Sequence, residues 1–211
     1  MSRRSELLEF AVLGLLHETP MHGYELRKRL NAALGAFRAL SYGTLYPCLR
    51  GLLERGWIAE AAGPQLRAAA TSGSRRARIV YELTAEGKER FQDLVKDAGP
   101  TAWEDDTFDV HFAFFARTEA EVRLRILEGR RSRVEERLAN IRSASAKNRE
   151  RFDTYTAELE RHGLDSAERE VRWLNELITA ERNVPAAART RHTSTTGTTP
   201  AAHQRTTGNK E

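Results

Sequence analysis

The 211-residue sequence predicts a mainly α-helical fold with a small β-wing: an N-terminal helix-turn-helix domain followed by an α-helical, coiled-coil-like C-terminal domain. Three features lead to that class. Through the first hundred residues apolar side chains recur at intervals of three and four, the spacing of one helix face. Two short runs of β-forming residues, Trp57-Ile58-Ala59 and Ile79-Val80-Tyr81-Glu82-Leu83, flank a basic loop. From Leu124 to Leu159 the apolar steps alternate between four and three residues, which is a heptad seam.

Ser5 precedes Leu7, Leu8, Phe10, Val12, Leu13, Leu15 and Leu16, apolar around more than half of a helix, so the first helix is expected to be buried among several neighbours. Thr19-Pro20 ends it. His22-Gly23-Tyr24 opens a second helix, with Leu26, Leu30, Ala33, Leu34 and Phe37 on its inner stripe and Arg27, Lys28 and Arg29 outside. A short connection after Gly35 leads to the stretch from Ser41 to Ile58. Its Leu45, Leu49, Leu52 and Leu53 share one face, while Gly43, Thr44, Tyr46, Pro47 and Arg50 occupy the other face or its shoulders. Small residues, phenols and a guanidinium on one outer face suit close approach to phosphates and base edges. Proline lacks an N–H and is tolerated in a first turn, so Pro47 places the helix start near Gly43 or Thr44, with Ser41 and Tyr42 in the turn leading in. Helix, turn and outward-facing helix make a helix-turn-helix unit with this third helix as the reader.

Gly56 closes the third helix. Between the two β runs, residues 63–78 hold Arg67, Arg75, Arg76 and Arg78 and no acidic residue, a wing that can lay its arginines along phosphates or into a minor groove. Thr84 caps a fourth helix with Glu86 in its first turn and Phe91, Leu94 and Val95 inside, ending near Gly99-Pro100. The expected domains are therefore 1–98, a winged helix-turn-helix DNA-binding domain; 99–184, a helical dimerisation domain; and 185–211, a disordered basic tail without periodicity.

In the second domain, Phe108, Phe112 and Phe115 mark a short apolar helix, and Thr118-Glu119-Ala120-Glu121 reads as a capping box for the next. The heptad seam follows: Leu127, Arg131, Val134, Leu138, Ile141, Ser145, Asn148, Phe152, Tyr155 and Leu159. Asp165-Ser166 with Glu168 starts a final helix bearing Val171, Trp173, Leu174, Leu177 and Ile178. A stripe this long exceeds what so short a return helix covers, so the seam is expected to meet a second chain. Leu127, Val134, Leu138, Ile141, Phe152, Tyr155, Leu159, Trp173 and Leu177 are the expected interface of a homodimer.

Composition narrows the function. The net charge is +4, hydrophobic residues are 40% and charged residues 30%, and mean hydropathy is −0.60. Residues 101–184 carry slightly more acidic than basic side chains, so the positive excess, and any polyanion surface, lies outside that segment. No apolar run approaches the roughly 20 residues needed to span a bilayer, and Glu6 and Glu9 interrupt the first helix, so neither membrane nor secretion is indicated and a cytoplasmic location is expected. Cys48 is the one cysteine, which excludes an internal disulfide and a cysteine metal cluster. His17, His22, His111, His162, His192 and His203 are scattered, and no phosphate-cradling glycine loop or nucleophile elbow is present. An enzyme, a cofactor and a metal are not expected.

The residues Leu15-Leu16, His22-Gly23-Tyr24-Glu25-Leu26, Gly43-Thr44-Leu45-Tyr46-Pro47 with Leu49, Gly56-Trp57-Ile58, and Tyr81-Glu82-Leu83-Thr84-Ala85-Glu86-Gly87 run in an order that resembles the PadR family of transcriptional regulators. The layout of residues 102–182 is similar to the subfamily with the longer dimerisation region. The resemblance implies a winged helix-turn-helix, a homodimer held by C-terminal helices, and repression of a nearby promoter through an inverted repeat in double-stranded DNA. Its motif falls here on Tyr42, Gly43, Thr44, Tyr46 and Pro47, and its basic wing on Arg75, Arg76 and Arg78, in a wing longer and richer in alanine than the usual pattern. With Lys28, Ser41 and Arg50 these form the expected DNA-binding set. The family also implies release by a small aromatic effector; Trp103, just past the domain boundary, is the indole placed to stack on one. The reading of another class is a protein-interaction adaptor that uses its coiled coil and keeps the winged domain as a structural part.

Overall fold

Seven large apolar residues of the first helix find partners on several sides, and that burial organises the N-terminal half. The computed structural model describes residues 3–33, 42–61, 79–148 and 153–183. α1 (Arg3–Glu18) is followed by β1 (Met21–His22), α2 (Gly23–Ala33), α3 (Tyr42–Glu54), β2 (Ile58–Glu60), β3 (Val80–Leu83) and α4 (Ala85–Lys96). Leu7, Leu8, Phe10, Val12, Leu13, Leu15 and Leu16 of α1 share one core with Leu26 and Leu30 of α2, Leu45, Leu49 and Leu52 of α3, and Phe91 and Val95 of α4. Truncating a side chain as enclosed as Leu49 costs about 2–5 kcal/mol, so Leu49→Ala is expected to lower the urea midpoint clearly, whereas Glu54→Ala on the exposed side is expected to leave it in place.

The sheet has three antiparallel strands in the order β1-β3-β2. β2 and β3 are the two runs read from the sequence, with Ile58 opposite Leu83 and Glu60 opposite Tyr81. β1 was not expected: Met21 and His22 pair with Tyr81 and Val80 instead of opening α2, and the His22 ring nitrogen Nδ1 lies 3.3 Å from the Ile79 carbonyl oxygen. Two residues are too few to show a period, so only the partner strand reveals the third. Together, three helices packed around α1 and the sheet form the winged helix-turn-helix.

Thr84 caps α4 as expected, its hydroxyl oxygen accepting the Gly87 N–H at 3.0 Å. A short 3-10 turn (Pro100–Trp103) then leads to α5 (Phe108–Ala113), a second 3-10 turn (Phe115–Arg117), α6 (Ala120–Asn148) and α7 (Thr154–Asn183). α5, ten residues past the boundary expected after residue 98, contributes to both cores. Its Val110, with Phe114 just beyond, enters the first core, whereas Phe108 joins Ala98, Ala102 and the α6–α7 side chains in the second. The expected capping box does not form: the Thr118 hydroxyl donates to the Phe114 carbonyl at 3.0 Å, which ties it back to the preceding turn.

The heptad expectation needs two corrections. α6 ends at Asn148, and α7 runs unbroken through Gly163, Asp165 and Ser166, where a new helix was expected. The restart is earlier, at Asp153, whose carboxylate accepts the N–H groups of Tyr155 (2.9 Å) and Thr156 (3.1 Å) and the Thr156 hydroxyl. An Asp-Thr-Tyr-Thr sequence is an N-cap signal that the heptad pattern overrode. The second correction concerns the partner. With a 30-residue α7, the hairpin return is long enough to cover α6, and Leu127, Val134 and Leu138 are buried against Ala167, Leu174 and Ile178 of the same chain. These three are enclosed in the core of one chain. Arg123–Glu181, Arg137–Glu170 and Arg142–Glu168 pairs fix the antiparallel register.

Two histidines lie where the first core meets α5. His17 is held below the ordinary histidine range by burial, then by the charges of Arg117 and Lys88, against a smaller opposing effect of Glu18. His111, its ring tilted against Phe10 with centroids 4.9 Å apart, is lowered by burial, which outweighs Asp97. Below the ordinary pKa the unfolded chain binds these protons and the folded chain resists them, so their stabilisation is present above that pH and is lost as pH falls. The urea midpoint is expected to drop between about pH 7.5 and about pH 5.5, and His111→Gln is expected to flatten that drop; an unaltered profile would contradict the assignment.

Candidate nucleic-acid interface

α3 carries one buried and one open face. Leu45, Leu49 and Leu52 are fully enclosed and Cys48 is buried beside them, while Thr44, Pro47, Arg50 and Glu54 are exposed. Burial pushes the Cys48 thiol up to about 12, helped by the charge of Glu9 against that of Arg55, so it is a neutral core residue. No ion pair of Arg50 is found among the described residues, which leaves its guanidinium available to an external acceptor.

The helix starts earlier than the position of Pro47 implies. Tyr42 belongs to α3, and Pro47 stands inside it. Proline removes one backbone bond, but Leu45, with no exposed surface, pins the turn before it; tertiary burial outweighs the lost bond. Tyr42 and Gly43 therefore lie in the first turn, and Ser41 is outside the described residues. Tyr46 is not on the open face. It is half-buried against the first core, and its hydroxyl is 3.5 Å from where a Cβ on Gly23 would stand, which places the phenol over the start of α2.

On α2, Lys28 is exposed. Its neighbour Arg29 pairs with Glu25 at 3.0 Å and lies 3.8 Å from Glu18, and Arg27 lies 5.9 Å over the Tyr24 ring. The Arg27, Lys28 and Arg29 face read from the sequence thus presents Lys28 as its unpaired cation among the described residues. Arg75, Arg76 and Arg78 of the wing lie outside the described residues.

The lower end of α3 is tied down more firmly than the sequence suggested. Gly56 has φ +69°, the left-handed turn that ends the helix, and the Thr84 hydroxyl donates to its carbonyl at 2.7 Å. Arg55 makes a forked pair with Glu9 of α1, 2.6 and 3.1 Å. Arg55 and Arg90 both lie over the Trp57 ring, at 4.3 and 5.4 Å. Glu9 was read only as a charge interrupting an apolar helix; the available signal was an acidic residue on a helix apolar nearly all round, which must find a cation.

Of the remaining residues named from the sequence, Ile141 is half-buried and Leu177 packs against the second core. Tyr155 and Leu159 are exposed, at 87% and 72%, and Trp173 is 39% exposed, its ring 5.2 Å from Phe112. Phe152 lies outside the described residues. Trp103 packs on the second core, its indole set directly on Gly129, where a Cβ would come within 2.4 Å of the ring. Among the described residues no helix is long and apolar enough to cross a membrane, and no group of His, Cys, Asp or Glu could hold a metal ion.

The chain matches the Transcriptional regulator PadR-like family over residues 12–93. It is 29% identical over 87 residues to the negative transcriptional regulator PadR of Bacillus subtilis, a match covering 41% of this chain and 44% of that one, so it spans less than half the length of that relative. The crystal structure of Bacillus subtilis PadR in complex with operator DNA aligns at 19% identity and TM-score 0.39, over 82% of this chain and 98% of the other. The Vibrio cholerae virulence activator AphA aligns at 18% identity and TM-score 0.35, over 84% and 99%. Both alignments are too loose to place a side chain. The order of elements from α1 to α4, the open face of α3 and the match that spans them agree: over residues 12–93 this chain carries a domain of the PadR-like family of transcriptional regulators.

Proposed function

We propose that the protein is a sequence-specific DNA-binding regulator, a cytoplasmic homodimer that represses a nearby promoter from an inverted-repeat operator. The observation that carries this is the face of α3: Thr44, Pro47 and Arg50 are open to solvent on a helix whose opposite side is fully enclosed. Such a helix fits a major groove, with its small residues close to the backbone and Arg50 reaching base edges. Tyr42 and Gly43 lie in its first turn, Lys28 adds a phosphate contact from α2, and further phosphate contacts are assigned to Ser41 and to Arg75, Arg76 and Arg78. Tyr46 contributes by holding α3 against α2.

Repression is supported by the curated relative, which is a negative regulator. Dimerisation is supported by Tyr155, Leu159 and Trp173, large apolar side chains that the hairpin leaves exposed. The small aromatic effector rests on the family resemblance alone, since the indole of Trp103 is engaged by Gly129.

Arg50→Ala tests the assignment. A duplex is first enriched from a randomised pool by the wild-type protein, and each base pair is then varied in turn. The variant is expected to lose about 1–3 kcal/mol of discrimination at one position of each half-site. Uniform weakening on all sequences would make Arg50 a phosphate clamp and leave base reading to other residues.

A further inference from the structure

The Glu9–Arg55 pair joins the most enclosed helix of the winged domain to the end of the helix assigned to DNA reading. Glu9 is 8% exposed, and Arg55 receives it with two N–H groups while its Nε donates to the Gly51 carbonyl of α3 at 2.9 Å. One planar guanidinium therefore holds a carboxylate on α1 and an end carbonyl of α3 together, and rests on the Trp57 ring.

Stability is a poor explanation for this arrangement. Taking a carboxylate and a guanidinium out of water offsets most of their attraction, and an apolar pair of similar volume serves a core as well. What a fork adds is direction, because two parallel bonds fix distance and plane together. Among the other anchors of α3, Leu45, Leu49 and Leu52 are non-directional and would accept a small rotation of the helix about its axis, while the Thr84–Gly56 bond holds only the turn at its end. Since Thr44, Pro47 and Arg50 sit opposite those leucines, such a rotation would move the open face relative to a groove.

We propose that Glu9 is a positioning residue for DNA reading: through Arg55 it sets the rotation of α3, and with it the sequence discrimination of the Thr44, Pro47 and Arg50 face. This rests on the DNA-binding reading above and adds to it a residue that touches no DNA.

The test uses the full chain as wild type, Glu9→Gln, Arg55→Lys and, as a control truncated elsewhere in the same core, Val95→Ala. Each is titrated against the duplex enriched by wild type and an unrelated duplex of equal length at the same salt, with the folded fraction set from circular dichroism. Glu9→Gln and Arg55→Lys are expected to reduce the ratio of specific to non-specific affinity about tenfold, with non-specific affinity and its salt slope unchanged and the Val95→Ala ratio intact. An unchanged ratio in both variants, a parallel fall of both affinities, an equal loss in Val95→Ala, or failure of both variants to fold would overturn the proposal. A wild-type protein that enriches no sequence overturns the DNA reading itself.

Discussion

Arg130→Ala is expected to destabilise the helical hairpin by about 3 kcal/mol, the lower end of the range for breaking a buried ion pair. The Arg130 side chain is 9% exposed and pairs with Asp105 of the loop before α5 and with Glu170 of α7, the latter at 2.7 Å. It also donates to the Trp103 carbonyl at 3.3 Å and lies 5.3 Å over the Phe108 ring. Burial alone would raise the Asp105 carboxyl, yet the bond from Arg130 and the charges of Arg130, Arg137 and Arg133 outweigh it and bring it below the ordinary range. Removing Arg130 leaves Glu170, 22% exposed, and Asp105, 54% exposed, with Arg137 as their remaining ion-pair partner among the described residues, which is why the lower figure is expected. The exposed Arg142–Glu168 pair is the contrast: Arg142→Ala is expected to cost about 0–1 kcal/mol. Urea denaturation of both variants at constant m value measures the difference, and equal losses would show that burial does not set the worth of these pairs.

Gly87→Ala is expected to be as damaging, although helix propensity alone favours alanine by about 1 kcal/mol. A Cβ at this position would stand 1.9 Å from the Trp57 carbonyl oxygen and 2.9 Å from a Leu83 methyl. The first is backbone, in the turn between α3 and β2, and that carbonyl accepts the Thr84 N–H at 3.2 Å. Relief requires α4 to move off the strand it follows, so the net loss is expected to be about 3 kcal/mol, at the top of the overpacking range. The thermal midpoint decides the sign; a rise would mean that the turn yields freely.

The apolar patterns of α1, α2 and α3 were legible because each is long enough to show a period, α1 buried on several sides and α3 on one, although Leu34 and Phe37 of the second stripe lie outside the described residues. β1 was not, since two residues acquire strand character only from Tyr81 and Val80 beside them. The hairpin was misread for a different reason: steps of four and three describe any helix with one covered face, and the cover can come from the same chain as readily as from another. Asp153 held the information that would have shortened α6 and lengthened α7. At the site, Thr44, Pro47 and Arg50 were visible as the complement of the leucines, whereas Tyr46 looked exposed because a helix wheel does not show α2 lying against its shoulder. The Glu9–Arg55 pair spans 46 residues, a separation at which no local pattern connects two charges.

On the proposed function, α3 reads DNA sequence on behalf of a symmetric dimer. Fluorescence anisotropy of the full chain on its own upstream intergenic DNA, titrated with salt and competed by unrelated DNA of equal length, tests it most directly. Tight binding to the upstream DNA alone, two protomers per site and an affinity that falls steeply with salt are expected. Weak binding of equal strength to both DNAs would contradict it, leaving a basic winged domain whose open face serves some other partner.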